Sequence, residues 1–100
     1  MTQTRTERRE YERNYHLQRR YGISAEQYDE MLKRQDHKCK ICGSENPKGN
    51  GNRFAVDHCH SSNRVRGLLC QECNQGLGKF NDDISLLSRA ITYLNDKESD

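Results

Sequence analysis

The stretch that decides the fold begins with Cys39-Lys40-Ile41-Cys42, continues through Asp57-His58-Cys59-His60, and ends with Cys70-Gln71-Glu72-Cys73. Two Cys-x-x-Cys pairs supply four thiolates, the ligand set of a tetrahedral structural zinc site. The alternatives are a redox dithiol and unrelated free cysteines, but a redox dithiol normally occurs as a single pair at the start of a helix. The spacing therefore predicts one zinc ion with four ligands: Cys39, Cys42, Cys70 and Cys73.

The composition agrees with a fold that depends on a metal. Of the 100 residues, 31% are hydrophobic and 32% are charged, so little apolar surface offsets the entropy of ordering the chain. Five cysteines are an odd number, which argues against a framework made only of disulfides. The sequence holds no apolar run that resembles a membrane span or a signal peptide. We therefore expect no membrane partner and a cytoplasmic location.

The charge distribution divides the chain into three parts. Residues 1–20 contain six arginines against three glutamates and predict a basic helical arm, while residues 97–100 form a polar tail. Residues 21–96 hold all the cysteines and are expected to form the folded domain. Clustered arginines can contact phosphates, whereas the interleaved glutamates favour a solvated helix. Both interpretations of the arm remain open.

Local patterns predict the elements of this domain. Ser24 and Gln27 fit a capping box, which predicts a helix from Ala25 to Gln35 with Tyr28 on its buried face. Further along the chain, two short apolar runs predict an antiparallel hairpin, and a short helix and a longer amphipathic helix follow them. These runs are, in order, 53–56, 65–69, 73–79 and 84–94. We expect Phe54, Phe80 and the apolar stripe of the last helix to lie in the core.

The Asp57 to His60 cluster indicates a second kind of chemistry. Phosphodiester hydrolysis needs a base for water and a cation for the developing charge. His58 suits the base because imidazole titrates near neutral pH, and Asp57 and Asn74 offer the hard oxygen ligands that Mg²⁺ prefers. An Asp-His pair is a weak motif by itself. Asp57 as a turn cap, Asn74 as a helix cap, and a histidine as a zinc ligand all remain alternatives.

Taken together, the motifs resemble those of the phage recombination endonuclease VII family, a group within the HNH, or ββα-metal, nucleases. The resemblance runs from about Tyr21 to Leu94. It rests on Cys-x-x-Cys, then Val-Asp-His-Cys-His, then Val-Arg-Gly-Leu-Leu-Cys-x-x-Cys-Asn, and then a leucine-rich helix that ends in Tyr-Leu. It implies an α+β fold, with a small zinc-stapled ββα-metal (His-Me finger) nuclease core and flanking helices.

The resemblance also implies an activity and a role for each residue of the motif. The activity is that of a metal-dependent DNA endonuclease that nicks or cuts duplex DNA with low sequence specificity. The four cysteines would bind structural zinc, and Asp57 and Asn74 would hold a catalytic Mg²⁺ or Mn²⁺. His58 would be the general base, and His60 would orient the site or contact the phosphate. Two arginines, Arg64 and Arg66, would contact the DNA, although a structural role for Arg66 is an equal alternative.

The sequence departs from the family pattern in two ways. Asn74 stands where the HNH motif has its last histidine, and Leu77 stands near the position of an acidic residue that some relatives carry. The junction-resolving relatives dimerise through long additional helices, so junction resolution is not expected, and a monomer or a homodimer remains open. The rival function is a non-catalytic zinc ribbon that binds nucleic acid or a protein. A third is a subunit that cuts DNA together with phage packaging proteins, in the host cell cytoplasm.

Overall fold

The structure, a computed structural model, describes residues 4–49 and 52–96, so the polar tail predicted at 97–100 lies outside the described residues. The described residues form four helices and a two-stranded sheet, which confirms the α+β class. In chain order, the elements are α1 (Arg5–Tyr21), α2 (Ala25–Arg34), β1 (Ala55–His58), β2 (Val65–Leu69), α3 (Gln71–Lys79) and α4 (Ile84–Asn95). None of these helices is long and apolar enough to cross a membrane.

The two N-terminal helices form a pair with well-defined ends. Gly22 ends α1 in the left-handed region at φ 71°, a conformation that glycine adopts without strain. The predicted capping box is confirmed, since the Ser24 hydroxyl accepts from the Gln27 N–H and the Gln27 side chain accepts from the Ser24 N–H. An ion pair of 2.7 Å between Arg13 and Asp29 joins α1 to α2.

The hairpin contains an irregularity beside the residues of interest. Asp57 pairs with Gly67, but His58 pairs with Val65, so Arg66 is an extra residue in β2. Such a bulge bends the strand and changes the direction of its side chain. A Cβ atom at Gly67 would lie only 2.7 Å from Lys40 Cδ, so the glycine lets the first Cys-x-x-Cys loop approach the hairpin closely.

The core lies between α2, the hairpin and the cysteine loops. The Tyr28 hydroxyl donates a 2.6 Å hydrogen bond to the Phe54 carbonyl oxygen, which fastens α2 to the start of the hairpin. The predicted burial of Tyr28 and Phe54 is therefore confirmed. The buried hydrophobic residues are Tyr28, Cys39, Phe54, Val56, Leu68, Leu69 and Cys70.

The predicted contribution of the last helix to the core is wrong. Ile84 and Leu94 are each 80% exposed, Ile91 is also exposed, and Phe80, which precedes α4, is half exposed at 39%. Within the described residues, partly buried hydrophobic side chains of α1, α2 and α3, but none of α4, pack against the core. Amphipathic spacing predicted the helix correctly, but it carries no information about which surface the apolar side meets.

Candidate functional site

Four cysteines from three different places in the chain meet at one point. Cys39 and Cys42 lie in the loop after α2, Cys70 ends β2 and caps α3, and Cys73 lies in the first turn of α3. Their sulfur atoms all lie within 4.8 Å of one another. The Cys42 and Cys70 sulfurs are 3.8 Å apart, which is about the S···S separation that Zn–S bonds of about 2.3 Å give in a tetrahedron. The cluster suggests a zinc site.

Two of the clustered thiols have pKa values shifted in opposite directions. Burial raises the pKa of Cys39, but hydrogen bonds from the backbone of Cys70, Cys42 and Ile41 outweigh it and lower this pKa to about 6. Burial, followed by hydrogen bonds with Cys70, Cys39 and Cys42, raises the pKa of Cys73 to about 12. One thiolate forms easily, whereas four together need a positive charge at their centre.

The fifth cysteine stands apart from this cluster. The Cys59 sulfur lies 3.1 Å from the Ser61 hydroxyl oxygen. That hydrogen bond, and then those of Ser62, lower the pKa of Cys59 to about 6. Cys59 is a partly exposed thiol outside the group of four clustered cysteines.

The structure pairs Asp57, the expected metal ligand, with Arg66. Arg66 Nε lies 2.7 Å from Asp57 Oδ2, and Arg66 Nη2 lies 2.9 Å from Asp57 Oδ1. This two-point contact is the strongest geometry of an arginine–carboxylate pair. The Asp57 side chain is only 12% exposed. The bulge in β2 supplies Arg66 for this pairing, in agreement with the structural alternative for that residue.

Asp82 is a member of the site that the sequence analysis missed. Its Oδ2 lies 3.2 Å from Arg66 Nη2 and 3.3 Å from His60 Nε2. The N-terminal cap of α4 is the neighbouring residue, Asp83. Asp57, Arg66, Asp82 and His60 thus form one continuous polar chain. No spacing rule could have found Asp82, because it comes from the turn between α3 and α4.

The two histidines of the cluster lie side by side. The centroids of the His58 and His60 rings are 5.0 Å apart, and the His58 ring also lies 5.8 Å from that of Tyr21 in α1. His58 is half-buried, whereas the His60 side chain is 75% exposed. The contact with Tyr21 places the His58 ring beside the end of α1.

Asn74 and Arg64, the remaining predicted site residues, lie in α3 and in the turn before β2. Asn74 begins the α-helical hydrogen bonding of α3, its N–H donating to the Cys70 carbonyl oxygen at 3.0 Å. Leu77, three residues later on the same helix face, lines a groove with Asp57 and Arg66. Asn74 itself is half-buried and is not among the residues that line this groove. Arg64 is exposed in the turn before β2 and is not part of the polar chain.

A hairpin and a short helix that meet at four clustered cysteines define a small domain with a possible zinc site. The comparison of sequences gives the family. The chain belongs to the recombination endonuclease VII family, whose sequence profile matches residues 14–96. The family is named after a recombination endonuclease.

Two curated phage proteins are similar to the chain. It is 47% identical over 75 residues to the Gene 59 protein of Mycobacterium phage D29, and 43% identical over 75 residues to the Gene 59 protein of Mycobacterium phage L5. Each match covers 74% of this chain and 44% of the relative, so the chain spans less than half the length of the curated relatives it matches. No solved structure matches the chain.

Proposed function

We propose that the chain is a metal-dependent endonuclease of the HNH type, which hydrolyses phosphodiester bonds in duplex DNA with little sequence preference. The observation that carries the proposal is the order of β1, β2 and α3, with Asp57 and His58 at the end of β1 and Asn74 on the helix that packs against both strands. Membership of a nuclease family supports it. In this proposal residues 21–96 form the ββα-metal nuclease domain and residues 1–20 a basic arm.

The donor set proposed for the catalytic ion consists of oxygen atoms, which a hard divalent cation prefers. The Arg66 guanidinium contacts both oxygens of Asp57, so this carboxylate already pairs with a positive charge. A carboxylate and an amide oxygen suit Mg²⁺ or Mn²⁺ and leave positions for water and phosphate. Asp57 and Asn74 would hold the ion. When bound, it would supply charge stabilisation to the phosphate and to the leaving oxygen.

The side chains around this position divide the remaining work. His58 would accept the proton of the attacking water, since its ring is held by contact with Tyr21 beside Asp57. His60 is anchored through Asp82 and exposed enough to contact a phosphate oxygen. Arg64, exposed in the turn before β2, would contact the DNA backbone. Structural zinc would hold the hairpin against α3.

The rival function is a zinc-binding module without catalysis, and one observation favours it. Both Asp57 oxygens already have a partner within the protein, which is what a purely structural aspartate would show. A supercoiled-plasmid nicking assay separates the two functions. We expect nicking by the zinc-loaded protein with added Mg²⁺ or Mn²⁺ and none with a chelator of these ions. DNA binding without nicking, at every dose of either ion, would favour the rival.

A further inference from the structure

One residue of the site lies outside every motif of the sequence and still contacts two members of it. Asp82 follows Asn81 in a turn in which both residues have positive φ, 56° and 55°. Hydrogen bonds from the Asn81 N–H to the Gly78 carbonyl oxygen and from the Asp82 N–H to the Leu77 carbonyl oxygen fix this turn to the end of α3. The turn brings the Asp82 carboxylate to Arg66 and His60, where it is only 17% exposed.

The charges of this group are arranged around one guanidinium. Arg66 lies between two carboxylates, with a two-point contact to Asp57 and a single contact from Nη2 to Asp82. Arg66 Nη2 contacts both Asp57 and Asp82. If the contacts with Asp57 were lost, the Asp82 carboxylate would still accept a hydrogen bond from the guanidinium. The bulge supports this arrangement, since Arg66 is the residue without a partner in the strand ladder.

A divalent ion and the Arg66 guanidinium would need the same oxygens. A guanidinium that hydrogen-bonds both oxygens of a carboxylate occupies the lone pairs that a cation would use. Binding of an ion at Asp57 and the Asp57–Arg66 pair therefore oppose each other, and each weakens the other by the same factor. The strength of the internal pair thus sets part of the affinity for the ion.

We infer that Arg66 is a displaceable internal cation that holds Asp57 until a divalent ion replaces it, and that Asp82 is the positioning residue that retains the released guanidinium and His60 at the site. The inference rests on the proposed function, because it requires a divalent ion at Asp57. Asp82, from the turn between α3 and α4, thereby becomes part of the site. Arg66 would be a structural partner of Asp57 without the ion and a competitor of the ion during its binding.

The inference makes predictions of opposite sign for two substitutions. Arg66→Gln removes the competitor and should tighten the binding of Mn²⁺ by about fivefold, the effect of a partly exposed ion pair. Asp82→Asn removes the acceptor of the released guanidinium and should weaken this binding by about the same factor. Asparagine tolerates the left-handed backbone of position 82, so the second substitution keeps the turn.

Matched variants remove the same charges nearby. Arg64→Gln takes one positive charge from the exposed turn before β2, and Asp83→Asn takes one negative charge from the adjacent residue while keeping a good helix cap. Both should leave the dissociation constant for Mn²⁺ within about twofold of that of the unaltered chain, because the solvent screens exposed charges. Asp57→Asn should abolish the site.

The experiment is a titration of the zinc-loaded full chain with Mn²⁺, in which electron paramagnetic resonance measures the free ion. Zinc content and circular dichroism verify that each variant is folded. As a second readout, the Arg66 Nε–H signal in nuclear magnetic resonance spectra, assigned through its bonded neighbours in the isotope-labelled unaltered chain, should shift when Mg²⁺ is added. A variant that fails to fold therefore does not remove the test, because the unaltered chain alone gives this signal.

The outcomes separate this inference from the proposed function. Unchanged or weaker Mn²⁺ binding in Arg66→Gln, or an Arg66 signal that does not respond to Mg²⁺, would overturn the inference even if the chain nicks DNA. Tightening that Arg64→Gln reproduces would also overturn it, since a general charge effect would then suffice. Opposite shifts in the two variants, without any nicking, would support the displaceable Arg66 and count against the nuclease.

Discussion

Gln35 hydrogen-bonds both backbone polar groups of Leu68, with its Nε2 2.9 Å from the Leu68 carbonyl oxygen and its Oε1 3.0 Å from the Leu68 nitrogen. A two-stranded sheet exposes such groups along its outer edges. Leu68 is fully buried, so its N–H and C=O need partners within the protein. The Gln35 side chain thus satisfies the outer polar groups of β2 at Leu68, as a neighbouring third strand would.

Gln35→Ala should lower the free energy of unfolding by about 2 kcal/mol, because it leaves the buried Leu68 N–H without an acceptor. The Leu68 carbonyl oxygen keeps a second donor, the Lys40 N–H at 3.2 Å. Urea denaturation of the zinc-loaded protein measures the change. Gln18→Ala, on the exposed side of α1, is the control and should change stability by less than about 0.5 kcal/mol. Equal effects of the two substitutions would contradict the role of Gln35.

Tyr28→Phe should cost about 1 kcal/mol at neutral pH, because it removes the hydrogen bond to the Phe54 carbonyl oxygen. Burial raises the pKa of Tyr28, so the folded chain holds this proton more tightly than the unfolded chain. Its contribution is complete below the unfolded pKa of about 10 and is lost as the pH rises through the folded pKa. The stability difference between the two proteins, measured by denaturation at several pH values, should therefore shrink above about pH 10. A difference that grows there would reverse the sign and refute the argument.

Cys42→Ser should reduce the zinc content of the purified chain and unfold the domain, because so polar a chain cannot compensate for a lost structural metal. Elemental analysis measures the zinc, and circular dichroism the folding. Cys59→Ser is the matched control, since Cys59 lies outside the group of four. Full zinc content in Cys42→Ser, or a loss of zinc in Cys59→Ser, would contradict the assignment of the four zinc ligands.

His58→Ala should reduce plasmid nicking by about a hundredfold or more, the usual contribution of a general base. Zinc content and stability should not change, since His58 contributes no sulfur to the cluster. His16→Ala, which removes an exposed histidine of α1, should nick like the unaltered chain. Nicking by His58→Ala at the normal rate would remove His58 from the mechanism.

Asn74→Ala should raise the Mg²⁺ concentration needed for half-maximal nicking by about tenfold or more, because the ion would lose one of its two protein ligands. The measurement is a Mg²⁺ titration of the nicking rate. Gln75→Ala, at an exposed position of the same helix, is the control. A normal Mg²⁺ requirement in Asn74→Ala would show that Asn74 is not a ligand of the ion.

Much of the local structure could be predicted from the sequence, because short-range chemistry determines it. The capping box at Ser24, the strand at 65–69 and the helix stop at Gly22 each follow from a few adjacent side chains. The meeting of the four cysteines could also be predicted, because a shared ligand chemistry relates residues that are distant in the chain.

The contacts of Asp57 could not be predicted in the same way. They depend on a bulge that places Arg66 between regular pairs, and on a turn that brings Asp82 back from beyond α3. Neither feature changes the periodicity of the sequence. The exposed side of α4 was mispredicted for a related reason, because an apolar stripe shows that a helix has a face but not which surface it meets.

Cys70 has three functions at once: it ends β2, contributes a sulfur to the cluster, and caps α3 by accepting from the Cys73 N–H. The first turn of α3, which precedes Asn74, is therefore completed by the same atom that would hold zinc. Zinc binding and the formation of α3 would therefore be coupled. A chain synthesised in a zinc-starved cell would lack the helix that carries Asn74. The supply of zinc would then control whether the proposed Mg²⁺ or Mn²⁺ site can form.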